Sequence, residues 1–486
     1  MSFFVDRASA VALHRQLATH LRDAILAGEF AGGTRLHASR ALAQQLGVSR
    51  NTVTQALDQL VAEGYLETRA GAGTYVAHGL TPRARNVGTS AAAAPRLSVR
   101  ARRLAAARDP DGGSEPALFR PGVPDLSLFP AAAWRRVANR WLDTDATRGY
   151  GDPGGYRPLR EAIAAHLRQT RGVTLGAGNV IVVEGTRAAL ALIADVLVDP
   201  GEPVAVEDPG YSAMRDAVAA AGGTLVPVGL DDNGFDVTRA PADARLAYVT
   251  PSHQYPTGVV MGLRRRLELL AWARAANAYV IEDDYDAEFR YDGAPLPALQ
   301  GLDDTRVLYV GTFSKTLAPA LRVAWIVVPD ALVDAFSAAR AVGSGGPAFP
   351  LQAALAAFVA DGHFALHVRR ASAVYRDRRD ALVNALERRL GDVVRVQGAA
   401  TGLHLVARFA GDDVAVSRAA LAENVVAPPL SGYALGAGGP SGFVLGFAAA
   451  GPVAIERAAE RLERALDRAA PRGLAESALD RLGPLA

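Results

Sequence analysis

Leu13, Leu17, Leu21 and Ile25 stand four residues apart and form one apolar stripe, which predicts an amphipathic helix over residues 13–25. A second short helix is expected from Ala38 to Leu46, with Leu42 and Leu46 inward and a tight turn at Gly47-Val48. Ser49 suits the N-cap of a third helix, where its hydroxyl satisfies an amide that the helix leaves unpaired. Val53, Leu57 and Leu60 form the buried face of that helix, and Gly64 stops it. The run YLETRAGAGTYVA then predicts two strands around an Ala-Gly-Ala-Gly turn. Three helices and a two-stranded wing are the plan of a winged helix-turn-helix. The outward residues of its third helix, Arg50, Asn51, Thr54 and Gln55, are types that bond phosphates and base edges.

Residues 79–115 lack any sustained apolar period and are rich in Ala, Pro, Gly and Arg, which predicts a linker. From about residue 116, short apolar runs alternate with Ala/Leu-rich helical stretches. The expected strands are 180–183, 203–206, 224–228, 246–249, 279–281, 307–310 and 323–328. Such alternation predicts an α/β domain with a mainly parallel sheet covered on both faces. The expected boundaries are 1–80, a linker at 81–115, the large domain at 116–470 and a tail at 471–486 without an assigned role.

At 486 residues and roughly 100–200 residues per domain, two to four domains are expected. The absence of cysteine excludes a disulfide framework, a thiolate metal site and a cysteine nucleophile, and no other metal site is expected. No apolar run reaches about 18 residues and the N-terminus lacks a signal-peptide pattern, so a soluble, cytoplasmic chain is expected. Charge is uneven. Residues 1–80 carry 7 Arg and 6 acids (+1), residues 81–110 carry 7 Arg and 1 acid (+6), and the remainder is −5 to reach the total of +2. The linker arginines suit weak, salt-dependent phosphate contacts or mere solubility. Of the 52 basic residues, 51 are arginine and one is lysine, Lys315. Arginine cannot serve as a nucleophilic amine, whereas lysine can.

In α/β sheets, ligands bind beyond the carboxyl ends of the strands. There this chain places Glu184-Gly185-Thr186, Asp208-Pro209-Gly210-Tyr211, Pro251-Ser252-His253-Gln254, Asp283-Asp284-Tyr285 and Thr312-Phe313-Ser314-Lys315. The chemistry that suits this edge is that of pyridoxal 5'-phosphate (PLP). A lysine amine joins the aldehyde, and an acid keeps the pyridine nitrogen protonated so that the ring acts as an electron sink. A helix start, a hydroxyl and an arginine hold the phosphate. Asp283 is the candidate for the ring nitrogen, Tyr285 for the phenolic oxygen, and Gly185-Thr186 and Arg322 for the phosphate.

The segment GTRLHASRALAQQLGVSRNTVTQALDQLVAEGYLETRAGAGTYV closely resembles the DNA-binding domain of the GntR family, with His37 where that family usually has proline. The resemblance implies DNA contacts at Arg40, Ser49, Arg50, Asn51, Thr52 and Gly73. The ordered motifs GTRAAL, EDPGY, TPSHQYPTG, EDDYDAEF and GTFSKTLAPALR resemble fold-type I aminotransferases, and the whole chain resembles the MocR/GabR-type regulators that join the two modules. The resemblance implies a PLP-dependent transferase-like domain with a smaller C-terminal subdomain and an internal aldimine at Lys315. It also implies a ring-nitrogen bond from Asp283, a ring-oxygen bond from Tyr285 and Tyr211 beside the ring. Thr186, Thr312, Ser314 and Arg322 then lie at or near the phosphate, and Tyr150 reaches the partner's phosphate in a head-to-tail homodimer. Two departures stand out. Arg187 follows the Gly-Thr turn where many relatives are uncharged. SGFVLGFA (441–448) has Phe443, Val444 and Leu445 where aminotransferases carry a carboxylate-clamping arginine. The expectation is a regulator that binds operator DNA at paired half-sites and senses PLP or an amino compound. The alternatives are a working aminotransferase with an accessory DNA-binding domain and a DNA-binding dimer with a silent scaffold.

Overall fold

The computed structural model describes residues 6–7, 9–69, 71–79, 96–106, 118–141, 149, 151–293, 296–343, 345–436 and 439–469. The chain divides into two compact units, Met1–Arg96 and Leu97–Ala486.

The first unit contains α1 (Leu13–Leu26), α2 (Ser39–Leu46), α3 (Arg50–Ala62) and an antiparallel ribbon of β1 (Leu66–Arg69) and β2 (Gly73–Val76). Leu17, Leu21 and Ile25 meet Leu42 and Val53, Leu57 and Leu60 in one core. The Ser49 hydroxyl accepts from the Thr52 amide at 3.1 Å and caps α3. Gly47 (φ +62°) and Gly64 (φ +81°) take the left-handed conformation that closes α2 and follows α3, where a side chain would be strained. The winged helix-turn-helix plan expected from the apolar spacing is therefore present.

The second unit opens with α4 (Val99–Ala106), inside the segment expected to be a linker. Its Ala and Arg residues have high helix propensity, and the Ser98 hydroxyl accepts from the Ala101 amide at 3.0 Å. This is a helix without an apolar stripe, so periodicity does not reveal it. Residues 80–95 and 107–117, and the tail from residue 470, lie outside the described residues. Next come α5 (Ala131–Ala138), α6 (Arg157–Arg171), β3 (Val180–Val183), α7 (Thr186–Leu197), β4 (Pro203–Asp208), α8 (Ser212–Ala221), β5 (Thr224–Asp231), β6 (Gly234–Phe235) and β7 (Leu246–Val249). They are followed by α9 (Leu263–Ala275), β8 (Tyr279–Asp284), β9 (Val307–Thr312), β10 (Ala324–Val327), α10 (Val333–Gly343) and α11 (Phe349–Ala360). A smaller C-terminal part holds α12 (His363–Leu390), β11 (Arg395–Gln397), β12 (His404–Arg408), α13 (Asp413–Ala422), β13 (Gly442–Gly446) and α14 (Pro452–Ala469).

The large sheet has the order β3-β10-β9-β8-β7-β4-β5-β6. Strands β4, β5, β7, β8 and β9 run parallel; β10 opposes both β3 and β9, and β6 opposes β5. One face is covered by α7, α8 and α10, which pack on Ile181, Tyr248, Ile281 and Val310. The other is covered by α6 and α11 at one end and α9 at the other. The small sheet β11-β12-β13 is antiparallel and shares a core with α12 and α14. Among the described residues no single helix is long and apolar enough to cross a membrane.

Leu60 is fully buried at the centre of the first core. Leu60→Ala should cost about 2–5 kcal/mol of that unit's stability, read as an early loss of helical circular dichroism on heating. The tryptophan fluorescence transition, which reports the second unit because all four tryptophans lie there, should move less. An unchanged dichroism melt would contradict this packing.

Candidate functional site

Strands β4, β7, β8 and β9 end on one edge, and β3 points the same way because β10 opposes both β3 and β9. The loops after them enclose a cavity of about 200 Å³ lined by Pro121, Gly122, Thr186, Arg187, Tyr211, Tyr248, Thr250, Tyr255, Asp283, Tyr285 and Lys315. Of the residues expected at the site, Lys315, Asp283, Tyr285, Tyr211 and Thr186 thus meet in one cleft.

The end of β8 alternates its side chains between the two sheet faces. Asp283 points towards the cavity. Tyr248 on neighbouring β7 donates to Asp283 Oδ2 at 2.7 Å, whereas Oδ1 is buried and has no hydrogen-bond partner among the described residues. Burial pushes the Asp283 carboxyl up to about 7, against the bond from Tyr248 and the charge of Lys315, which pull it down. Asp284 points to the opposite face, where it accepts from Arg171 Nε at 2.7 Å and from Tyr309 OH at 2.7 Å. Glu282, on that same face, takes the Leu299 and Gln300 amides at 2.9 and 3.0 Å.

Lys315 Nζ donates to the Gly122 carbonyl at 2.8 Å. Gly122 has φ +69°, a conformation that favours glycine, and a Cβ there would stand 2.7 Å from Nζ and displace the amine. The Thr312 hydroxyl accepts from the Ser314 amide at 3.1 Å and donates to the Val323 carbonyl at 3.4 Å. It is spent on shaping the loop that presents Lys315.

At the other end of the cavity, Gly185 (φ +98°) caps the twelve-residue helix α7. The Arg322 guanidinium lies 3.1–3.2 Å from where a Gly185 Cβ would be. Bare helix amides, a guanidinium and the Thr186 hydroxyl together suit an anion. Arg187 brings a guanidinium into the lining and pairs with Asp216 at 3.2 Å. It thus reaches both solvent-side acid and cavity.

The third wall is aromatic. Tyr255 stands edge-on to Tyr211, Tyr285, Tyr433 and His404, with ring centroids 5.2–5.8 Å apart. Tyr285 donates to the His253 carbonyl at 2.9 Å, and the His253 ring faces Asp286 at 3.1 Å. His253 Nδ1 thus faces the wall behind the cleft, while its buried Nε2 has no hydrogen-bond partner among the described residues. Behind Thr250, Glu207 accepts from the Thr250 hydroxyl at 2.7 Å and from Gln254 at 3.0 Å, and burial pushes it up to about 7. Tyr150 lies outside the described residues. Sequence reasoning missed Tyr248, Tyr255, Glu207 and Gly122. Tyr248 sits in the apolar run LAYV, which marks a strand but gives no sign of a partner two rungs along the next strand.

In the first unit, Arg40, Arg50, Asn51 and Gln55 are exposed. Ser49 and Thr52 hydroxyls bond each other at 2.8 Å. Gly73 (φ +113°) leaves room for the Arg35 guanidinium, 3.2 Å from a Cβ position there, which gives this glycine a packing reason.

Residues 13–76 match the bacterial regulatory proteins of the gntR family, and residues 122–462 match aminotransferase class I and II. The chain is 41% identical to the probable rhizopine catabolism regulatory protein MocR of Rhizobium meliloti, over 96% of this chain and 99% of that one. The chain belongs to the MocR-type regulators. The pyridoxine biosynthesis regulator PdxR of Corynebacterium glutamicum is 34% identical over 89% of this chain and 91% of that relative. The MocR-type second unit also superposes on the α-aminoadipate aminotransferase LysN of Thermus thermophilus, complexed with N-(5'-phosphopyridoxyl)-L-leucine. There the TM-score is 0.67 and the identity 28%, covering 72% of this chain and 92% of that one.

The buried acids give a pH signature. An unfolded Asp or Glu ionises near pH 4, but in the folded protein Asp283 and Glu207 keep their protons to about pH 7. The folded state therefore holds more protons across that window, and these groups cost stability as pH rises from about 4 to 7. Asp283→Asn in the cofactor-free protein should raise urea stability, followed by tryptophan fluorescence, more at pH 8 than at pH 5. An equal change at both values would contradict the raised pKa.

Proposed function

We propose that this MocR-type chain is a transcriptional regulator whose second unit holds PLP at Lys315 and senses a small primary amine beside it. Its winged helices bind operator DNA at paired half-sites, and the working particle is a head-to-tail homodimer. The observation that carries this reading is Asp283 Oδ1, a buried acceptor without a partner among the described residues, in a cleft that also holds the only lysine of the chain.

The residues fit the cofactor. Asp283 Oδ1 is free to accept from a protonated ring nitrogen, while Tyr248 fixes the other oxygen and so the carboxyl plane. The Gly185-Thr186 start of α7 and Arg322 suit the phosphate, and Lys315 supplies the amine. When bound, PLP supplies an electron sink and a carbonyl carbon to which amines attach. The protein's own part is to orient. Gly122 holds Nζ in the cleft, Tyr285 and Tyr255 wall it from water, and Asp283 holds a proton at the ring nitrogen. The names of the relatives in Rhizobium meliloti and Corynebacterium glutamicum also speak for regulation as the role of this architecture. A ligand changes DNA affinity only by as much as it prefers one conformation.

The test is fluorescence anisotropy on a DNA fragment enriched by binding to this protein. PLP, alone or with an amine, should change the dissociation constant by about five-fold or more. Lys315→Ala should bind the same DNA without that response. Arg50→Ala should weaken DNA binding by about 1–3 kcal/mol and leave PLP loading intact. A Lys315→Ala protein that responds like the parent would overturn the reading.

A further inference from the structure

The cleft is electrostatically one-sided. Its cationic lining residues are Lys315 and Arg187, and Arg187 sits at the α7 start together with Arg322, the end suited to a phosphate. The opposite wall is Tyr211, Tyr255 and Tyr285, backed by Val406, Leu430, Tyr433 and Val444, each of these four no more than 1% exposed. Three buried carboxyl groups stand around that wall. Asp283 lies in the lining, Glu207 behind Thr250, and Asp286 behind His253 and Tyr285. His404, the other basic group packed against Tyr255, is fully buried, and its ring carries no charge to offset them. A carboxylate placed here would lose its hydration without meeting a cation among the described lining residues of this wall, since Arg215 behind it is held by the Gly210 and Tyr433 carbonyls and by Asp208. An ammonium or hydroxyl group would meet tyrosine faces and carboxyl oxygens instead.

We propose that the sensed molecule is a primary amine without an acidic group, its body uncharged or bearing a second ammonium. This rests on the reading that amines are bound beside PLP at Lys315. Selection follows from the sealed wall. Val444 lies on β13 opposite Val406 on β12, so both strands turn apolar side chains towards the Tyr255 and Tyr433 rings that back the cleft.

The experiment uses the full-length protein loaded with PLP and freed of excess by gel filtration. It is titrated with matched amines that differ at one end: β-alanine against 3-aminopropan-1-ol and 1,3-diaminopropane, and L-alanine against L-alaninol. Cofactor absorbance and melting temperature are both followed. The alcohols and the diamine should half-saturate both changes at concentrations at least ten-fold below the matched amino acids. Equal or better response to the amino acids overturns the proposal, as does silence towards every amine in a protein whose PLP is shown by borohydride reduction to sit on Lys315. If reduction leaves Lys315 unlabelled, the underlying reading fails, and this one falls with it.

Discussion

The second unit is organised around one buried carboxyl group. Asp283 lies at the carboxyl end of a central strand with one oxygen bonded to Tyr248 and the other without a partner among the described residues. An isolated buried carboxylate is costly, and the site relieves that cost by raising its pKa and by leaving a place for a donor. The neighbours of Asp283 along β8 are acids too, but strand alternation sends Glu282 and Asp284 to the other face. There Arg171, tied also to the Ser252 hydroxyl at 2.6 Å, clamps Asp284 and pins the end of α6 to the site strands. The three-acid run Glu282-Asp283-Asp284 thus splits between the arginine-clamped anchor of Asp284 on one face and Asp283, which lines the cavity, on the other.

The glycines of the site are used for close approach. Gly122 admits the Lys315 amine, and Gly185 admits the Arg322 guanidinium at the start of α7. In both places a basic side chain occupies the room that a Cβ would take. The phosphate end and the amine end of the cleft are thereby set by backbone, while the wall between them is set by tyrosines. This division explains how one cleft can keep the parts a cofactor needs and still have a ligand wall with its own charge preference.

Much of this was legible in the chain. Six of the eight strands of the large sheet, β3, β4, β7, β8, β9 and β10, show as apolar runs because they are buried along nearly their whole length, and the lysine stands out because the other 51 of the 52 Lys and Arg residues are arginine. The capping role of Ser49 follows from its place before an apolar stripe, and the structure bears it out. What escaped depends on proximity between distant segments. Tyr248 looks like core until β7 is laid beside β8, and Gly122 looks like a turn until Lys315 arrives from 193 residues away. α4 escaped for a different reason, since a helix of Arg and Ala with no apolar stripe has no period to detect. His253, the one basic group in the TPSHQYPTG loop, turned out to face Asp286 behind the cleft.

The central claim is that the lone lysine and the unpartnered oxygen of Asp283 form one cofactor site, and the most direct test is where PLP attaches. The protein would be incubated with PLP, reduced with borohydride, digested and mapped by mass spectrometry. The account predicts a single phosphopyridoxyl label on Lys315, with occupancy sharply lowered in Asp283→Ala. No label on Lys315, or occupancy indifferent to Asp283, would contradict it.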